Sequence, residues 1–275
     1  MRGQDRAKAR LRGIKPLRQG RGLCHSVVAS TAGKGDKTQV ADRAKSSDPP
    51  KRRRARRASR SKLTREQIEE MFARFQALDP EPQTELKFRD PFTLLVAVVL
   101  SAQATDTSVN QATPALFAAA DTPEKMASLD EEEVSKRIKT IGLFRNKAKN
   151  VVALSRKIVA EYDGLVPDCR EDLEGLPGVG RKTANVVLNV AFGQPTIAID
   201  THIFRVSNRT GLAPGKTPLE VEETLERVIP DQYKLHAHHW LILHGRYICT
   251  ARKPSCSRCI IRDLCIYPDK TPDPA

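Results

Sequence analysis

No apolar run in this sequence approaches the roughly 18 residues that a membrane-spanning helix needs, and the most hydrophobic stretch, Phe92 to Leu100, is far too short. Channels, transporters and helically anchored enzymes are excluded, and no membrane partner is expected. The N-terminus lacks the apolar core of a secretory signal, although its Arg-rich, acid-poor, Ser-containing leader leaves an organelle transit peptide open. Period-2 alternation never lasts beyond a few residues and no useful internal repeat is present, which excludes sheet-rich folds and solenoids. Cysteines are few and uneven: of six, Cys24 and Cys169 are isolated, whereas Cys249, Cys256, Cys259 and Cys265 fall within 17 residues. Without a secretion signal, such clustering favours a metal centre over disulfides.

The 275 residues are 39% hydrophobic, enough for one large or two modest domains, and carry a formal charge of +14. The charge is lopsided. Residues 1–62 hold 20 Lys and Arg against 4 acids, a net +16, and the rest hold 27 against 29, a net −2. This N-terminal tail lacks apolar periodicity and ends in Lys51-Arg52-Arg53-Arg54-Ala55-Arg56-Arg57, which predicts a disordered basic extension. Its charge predicts tighter nonspecific binding to a polyanion and a steeper salt dependence. A targeting segment or a start codon placed too early are the other readings.

Order is expected from Thr64, which forms a capping box with Gln67 ahead of Ile68, Met71, Phe72, Phe75 and Leu78 at helical spacing. Asp90-Pro91 starts a second helix, apolar all round through Phe92 to Leu100 and therefore central. Further starts stand at Thr122-Pro123, at Asp130 and at Thr217-Pro218 with Glu220 completing a box, and stops at Gly142, Gly164, Gly193 and Gly211. The body reads as all-α, built of many short helices.

Three strings carry chemistry. In Leu173-Glu174-Gly175-Leu176-Pro177-Gly178-Val179-Gly180-Arg181-Lys182-Thr183-Ala184 one helix ends, glycines turn the chain and another helix begins. Gly178 and Gly180 permit positive φ and close backbone approach, and the amides opening the new helix, with its positive dipole end, suit a phosphate oxygen. Lys182 on that first turn, beside Arg181 and partly buried in a cleft, would be an activated amine, with Asp200 as proton acceptor. The alternative is a phosphate-binding lysine and an aspartate that merely caps the helix starting at Thr201. The third string, Cys249-x6-Cys256-x2-Cys259-x5-Cys265, offers four thiolates, only one pair of them close, unlike the two close pairs usual for zinc. Arg252 and Lys253 lie between the first two ligands, with Arg246, Arg258 and Arg262 flanking, so the loop either faces phosphates or is simply solvated. Two further loops, Leu100-Ser101-Ala102-Gln103-Ala104-Thr105-Asp106 and Ile141-Gly142-Leu143-Phe144-Arg145, read on their own as a helix-end amide and a core leucine. His202, His238, His239 and His244 read as packing or phosphate-contact residues.

From Leu176 to Arg209, including Lys182-Thr183-Ala184-Asn185 and Ile199-Asp200-Thr201-His202-Ile203-Phe204-Arg205, the chain resembles the endonuclease III family of helix-hairpin-helix DNA repair glycosylases, and the likeness runs from about Thr64 to about Tyr267. The resemblance implies a bifunctional glycosylase and abasic-site lyase acting on oxidised pyrimidines in duplex DNA. In it Lys182 attacks C1′ of the damaged nucleotide and Asp200 assists. The four cysteines bind a [4Fe–4S] cluster, Gln103 and Leu143 fill and wedge the gap left by the extruded nucleotide, and Gly178, Gly180, Arg181, His202, Arg252 and Lys253 contact DNA. Two rivals are a monofunctional adenine glycosylase and an inert DNA-binding module. Lysine at the nucleophile position and only ten residues after Cys265 argue against the first, and the Lys182 and Asp200 pair against the second.

The expected architecture is two helical domains behind the basic tail of residues 1–62. Residues 84–194 form a helical barrel holding the hairpin, and residues 63–83 plus 195–273 form the cluster domain. DNA is expected in the cleft between them, with Lys182 on one wall and Asp200 on the other. The protein is expected to be a monomer, cytoplasmic in a bacterium, or nuclear or mitochondrial if the tail is a targeting segment.

Overall fold

The structure is a computed structural model that describes residues 60–272; the tail through residue 59, and the disorder expected of it, lie outside the described residues. Among the described residues there are eleven α-helices, one short 3-10 turn and no strand. No helix among them is long and apolar enough to cross a membrane.

The helices begin where short-range chemistry dictates. Thr64 caps α1 (Arg65–Leu78) in a reciprocal box with Gln67. Asp90 caps α2 (Pro91–Leu100) on the Thr93 N–H at 2.8 Å, and every residue of α2 from Phe92 to Leu100 is buried. After α3 (Asp106–Ala119), Thr122-Pro123 and Asp130 open α4 (Pro123–Ser128) and α5 (Glu131–Arg137). Then come α6 (Phe144–Glu161), α7 (Arg170–Glu174), α8 (Arg181–Phe192) and α9 (Thr201–Thr210), the last two stopping on Gly193 and Gly211. Thr217 caps α10 (Pro218–Val228), but the Glu220 carboxylate reaches one residue further back than a box requires and accepts the Lys216 N–H at 2.8 Å. The chain closes with α11 (Asp231–Tyr247) and the cysteine loop.

Apolar residues gather into two cores. One draws only on a continuous stretch, Leu86 to Leu188, with α2 packed on α8 and α6 packed on α4 and α5. The other combines Leu63 to Phe75 with Ile197 to Ile261, and there α11 packs on α9 and α1. The chain passes from the first to the second along residues 193–200, between α8 and α9, so the hairpin helix and the helix after it belong to different cores and face each other across their junction.

Candidate active site and cysteine pocket

The hairpin is made by α7, a tight turn and α8. Leu176 N–H donates to Leu173 O at 3.0 Å, and Val179 N–H to Leu176 O at 3.1 Å. The two glycines do different jobs. Gly178 has φ +78°, and a Cβ on it would lie 2.8 Å from Asn150 Nδ2 and 2.9 Å from Asn150 Cβ. Gly180 does not use the left-handed region: it is the N-cap of α8 at φ −103°, and a Cβ there would meet nothing within 4 Å. Lacking a side-chain cap, the first amides of α8 are left for an incoming acceptor. Gly178→Ala is therefore expected to destabilise the fold by about 1–3 kcal/mol, whereas Gly180→Ala melts near wild type and weakens DNA binding. Thermal melts paired with a DNA titration read this; equal melting losses in the two variants refute the division of labour.

Lys182, Asp200, Gln103 and His202 line one open cleft at the junction of the cores, together with Asp106, His238 and Arg246. Lys182 is exposed where partial burial was expected, because the hairpin leaves the first turn of α8 uncovered. Asp200 is half-buried and caps α9, its Oδ1 accepting the Ile203 N–H at 2.7 Å. The capping reading thus holds alongside Asp200's place in the cleft. His202 Nδ1 stands 3.2 Å from Arg205 Nη2. Arg181, although exposed, is paired with the buried Glu222, its Nη2 2.9 Å from Glu222 Oε1, and this hydrogen-bonded carboxylate raises its pKa.

Gln103 and Leu143 are left-handed non-glycine residues, at φ 54° and 59°. Leu143 is 58% exposed and so is no core leucine. Their loops adjoin, since a Cβ on Gly142 would stand 4.0 Å from Gln103 O. Two left-handed non-glycine backbones on adjoining loops, one of them lining the cleft, are the kind of outlier that accompanies function. Leu143→Gly removes about 1–2 kcal/mol of left-handed strain and adds roughly 0.5–1 kcal/mol of backbone entropy cost, so net stability stays within about 1 kcal/mol. If Leu143 wedges the duplex, as the family resemblance implies, base excision is nevertheless expected to fall about tenfold or more. Full excision by this variant is the contrary result.

Several residues of the cleft carry no local sequence signal. Arg246, expected to face phosphates, instead pins the cores together: its Nη1 pairs with Asp106 Oδ2 at 2.6 Å and with Glu85, which also accepts from Tyr247 Oη. Its place in α11, opposite the N-terminus of α3, rather than on the cysteine loop, accounts for the difference. His238 is buried with Nδ1 lacking a partner, and burial, then His239, then Lys182 push it down to about 3, so it faces the cleft region as a neutral ring.

The four clustered cysteines line a second, separate pocket with Arg209, His244 and Tyr267, and none of the four is in a disulfide. Arg209 organises the loop, donating to Thr250 O and Ala251 O at 2.7 Å each, approaching Cys249 Sγ at 3.7 Å and lying over the Tyr267 ring at 4.7 Å. His244 Nε2 stands 3.7 Å from Cys259 Sγ. Burial pushes the Cys259 thiol up to about 11 and also raises Cys265, so thiolates here need a positive counter-charge. Among the described residues no three His, Cys, Asp or Glu side chains close on a single ion. Four cysteines lining one pocket, with only one closely spaced pair among them, suit a multi-iron cluster better than zinc. Arg252 and Lys253 are exposed on this loop and do not line the cleft.

Residues 96–231 match the model of HhH-GPD superfamily base excision DNA repair proteins, and residues 249–265 match the iron-sulfur binding domain of endonuclease III. Endonuclease III of Escherichia coli (strain K12) is 58% identical over 201 residues, covering 73% of this chain and 95% of the relative. That of Haemophilus influenzae is 56% identical with the same coverage. A solved structure of a trapped endonuclease III–DNA covalent intermediate matches with a TM-score of 0.70 at 46% identity, over 74% of this chain and 96% of that one. A thermostable thymine-DNA glycosylase matches at 0.65 and 27%, over 74% and 95%. With the hairpin and the cysteine loop both inside matched segments, and more than half of the residues shared along nearly the full length of these enzymes, the chain belongs to the endonuclease III family of base excision repair glycosylase/lyases that carry a [4Fe–4S] cluster.

Proposed function

We propose that this enzyme excises oxidised pyrimidines from duplex DNA through Lys182 and cleaves the strand 3′ to the resulting abasic site. The observation that carries the reading is the convergence of Lys182, Asp200 and Gln103 on one cleft between two helical bodies. A relative's covalent intermediate with DNA supports DNA as the substrate.

With Lys182 exposed, the route to a nucleophilic amine is proton transfer to Asp200 rather than desolvation. The amine attacks C1′ and the C1′–N bond to the base breaks, its electron pair leaving with the base. The sugar ring opens to a Schiff base. A proton is then lost from C2′ and the C3′–O bond breaks, releasing the 3′ phosphate, and hydrolysis returns the lysine. Gln103 and Leu143 occupy the space of the extruded nucleotide. The hairpin amides at Gly178 and Gly180, with Arg181 and His202, hold the backbone beside the cleft, and Arg252 and Lys253 reach phosphates further along.

Cys249, Cys256, Cys259 and Cys265 would ligate the cluster, which when bound supplies the charge and cross-links that hold this loop. Base removal runs through the cleft residues alone. The two cores support a division into residues 84–194 and residues 63–83 plus 195–273, acting as a monomer on DNA laid along their junction. Borohydride trapping on duplex DNA containing thymine glycol or an abasic site tests the reading. A covalent adduct is expected from cluster-loaded wild type, and its absence rejects amine chemistry.

A further inference from the structure

One buried carboxylate stands outside this mechanism. The Glu222 side chain, on α10, is 5% exposed. A carboxylate so placed is costly unless it is paired, and this one is met by the first turn of α8. Arg181 Nε donates to Oε1 at 3.0 Å and to Oε2 at 3.1 Å, Arg181 Nη2 stands 2.9 Å from Oε1, and Asn185 Nδ2 donates to Oε1 at 3.1 Å. These donors bracket Lys182, one residue before it and three after. Asn185 Nδ2 also donates to Ile197 O at 3.1 Å, and Asn185 O accepts from Thr196 Oγ1 at 2.6 Å. Thr196 and Ile197 lie in the segment that delivers Asp200. A single carboxylate is therefore bonded to both sides of the turn bearing Lys182 and, through Asn185, tied to the segment bearing Asp200.

We propose that Glu222 is a positioning residue that sets the Lys182 amine against Asp200, acting through Arg181 and Asn185 and touching no substrate atom. The inference rests on Lys182 as the nucleophile. Its physical basis is the steepness of reactivity with distance, where a displacement on the order of 1 Å can cost about a hundredfold in rate. Arg181, bonded to Glu222 through Nε and Nη2, keeps a fixed place in the turn bearing Lys182 while its side chain stays 43% exposed beside the cleft.

The test uses the cluster-loaded enzyme and abasic-site duplex, measuring Schiff-base formation by borohydride quench at saturating enzyme and Kd by anisotropy. Glu222→Gln keeps the side-chain shape and an acceptor for Asn185. Its Schiff-base rate at saturation is expected to fall about tenfold, with Kd within about twofold of wild type and the cluster absorbance unchanged. Arg181→Lys keeps a charge but loses the two-pronged geometry; it is expected to slow the same step by about threefold and carries the test if Glu222→Gln fails to fold. Combined, the two changes should cost less than the product of their separate effects. A Glu222→Gln rate within twofold of wild type, whatever its melting temperature, overturns the proposal, as does a loss that vanishes at saturation. Lys182→Ala run alongside separates the two levels: an adduct from that variant rejects the nucleophile itself, whereas its absence together with a wild-type rate from Glu222→Gln rejects only the positioning role.

Discussion

Lys182→Ala is expected to eliminate the borohydride-trapped adduct and to reduce lyase turnover about a thousandfold or more, while the protein melts within about 0.5 kcal/mol of wild type. The dissociation follows from where the residue sits. Lys182 is exposed on the first turn of α8 and alanine is the best helix former, so nothing structural is lost with the amine. Asp200 is the harder case, because it caps α9 and also lines the cleft. Asparagine separates the two duties. It caps a helix about as well as aspartate and still offers an oxygen to the Ile203 N–H, but it cannot take a proton. Asp200→Asn should therefore keep its stability to within a few tenths of a kcal/mol and lose about 10²–10⁴ in rate. Asp200→Ala should lose as much rate and also about 1 kcal/mol of cap. Single-turnover cleavage of abasic DNA, set beside thermal melts, reads both effects. An Asp200→Asn enzyme of undiminished rate would reduce Asp200 to a cap and leave the acceptor of the Lys182 proton to be found elsewhere in the cleft.

Much of this could be read from the chain because it is local. A cap acts over three residues, so Thr64 with Gln67, Asp90-Pro91 and Thr122-Pro123 announce their helices, and the unbroken apolar run after Pro91 announces the buried one. The hairpin and the cysteine spacing are legible for the same reason. The contacts that join the two cores are not, because their partners are distant: Arg181 finds Glu222 41 residues on, and Arg246 finds Asp106 across 140 and Glu85 across 161. No periodicity or propensity marks an acid as the mate of a base that far away. Leu143 fails for another reason, since apolar character predicts burial and the left-handed turn before α6 turns this leucine outward. Without the family likeness it would have been counted in the core. Lys182 shows the converse, in that a helix N-terminus is legible in sequence but the depth of the cleft around it is not.

Loss of one cluster ligand should act on binding more than on chemistry. In Cys259→Ser a hard oxygen replaces a thiolate at a half-buried site, and the variant is expected to be purified with little iron and without the cluster's visible absorbance. The consequence for the fold is set by what the loop rests on. Ile261 is fully buried in the second core, with Cys249, Cys259, Ile260 and Leu264 packed against it. The hydrogen bonds that fasten the loop to the rest of the protein come from three arginines: Arg209 on Thr250 O and Ala251 O, Arg205 on Cys249 O, and Arg74 on Ile260 O and the Asp263 carboxylate. Those bonds leave a loop that is tethered but not closed, so stability should fall by a few kcal/mol and trypsin should cut at Arg252 and Arg258, which are exposed. The first core, running from Leu86 to Leu188, takes no residue from the loop and should persist. Lys182 stays on α8, but Arg252 and Lys253 no longer hold fixed places, and for every phosphate they cease to neutralise the salt slope of DNA binding drops by about one. The expected enzyme binds DNA about ten- to a hundredfold more weakly at moderate salt, yet still gives a trapped adduct when driven to saturation. If the saturated adduct vanishes while the Leu86–Leu188 core stays folded, the cysteine loop shapes the reacting centre itself, and the separation of the two pockets into a binding role and a chemical role is wrong.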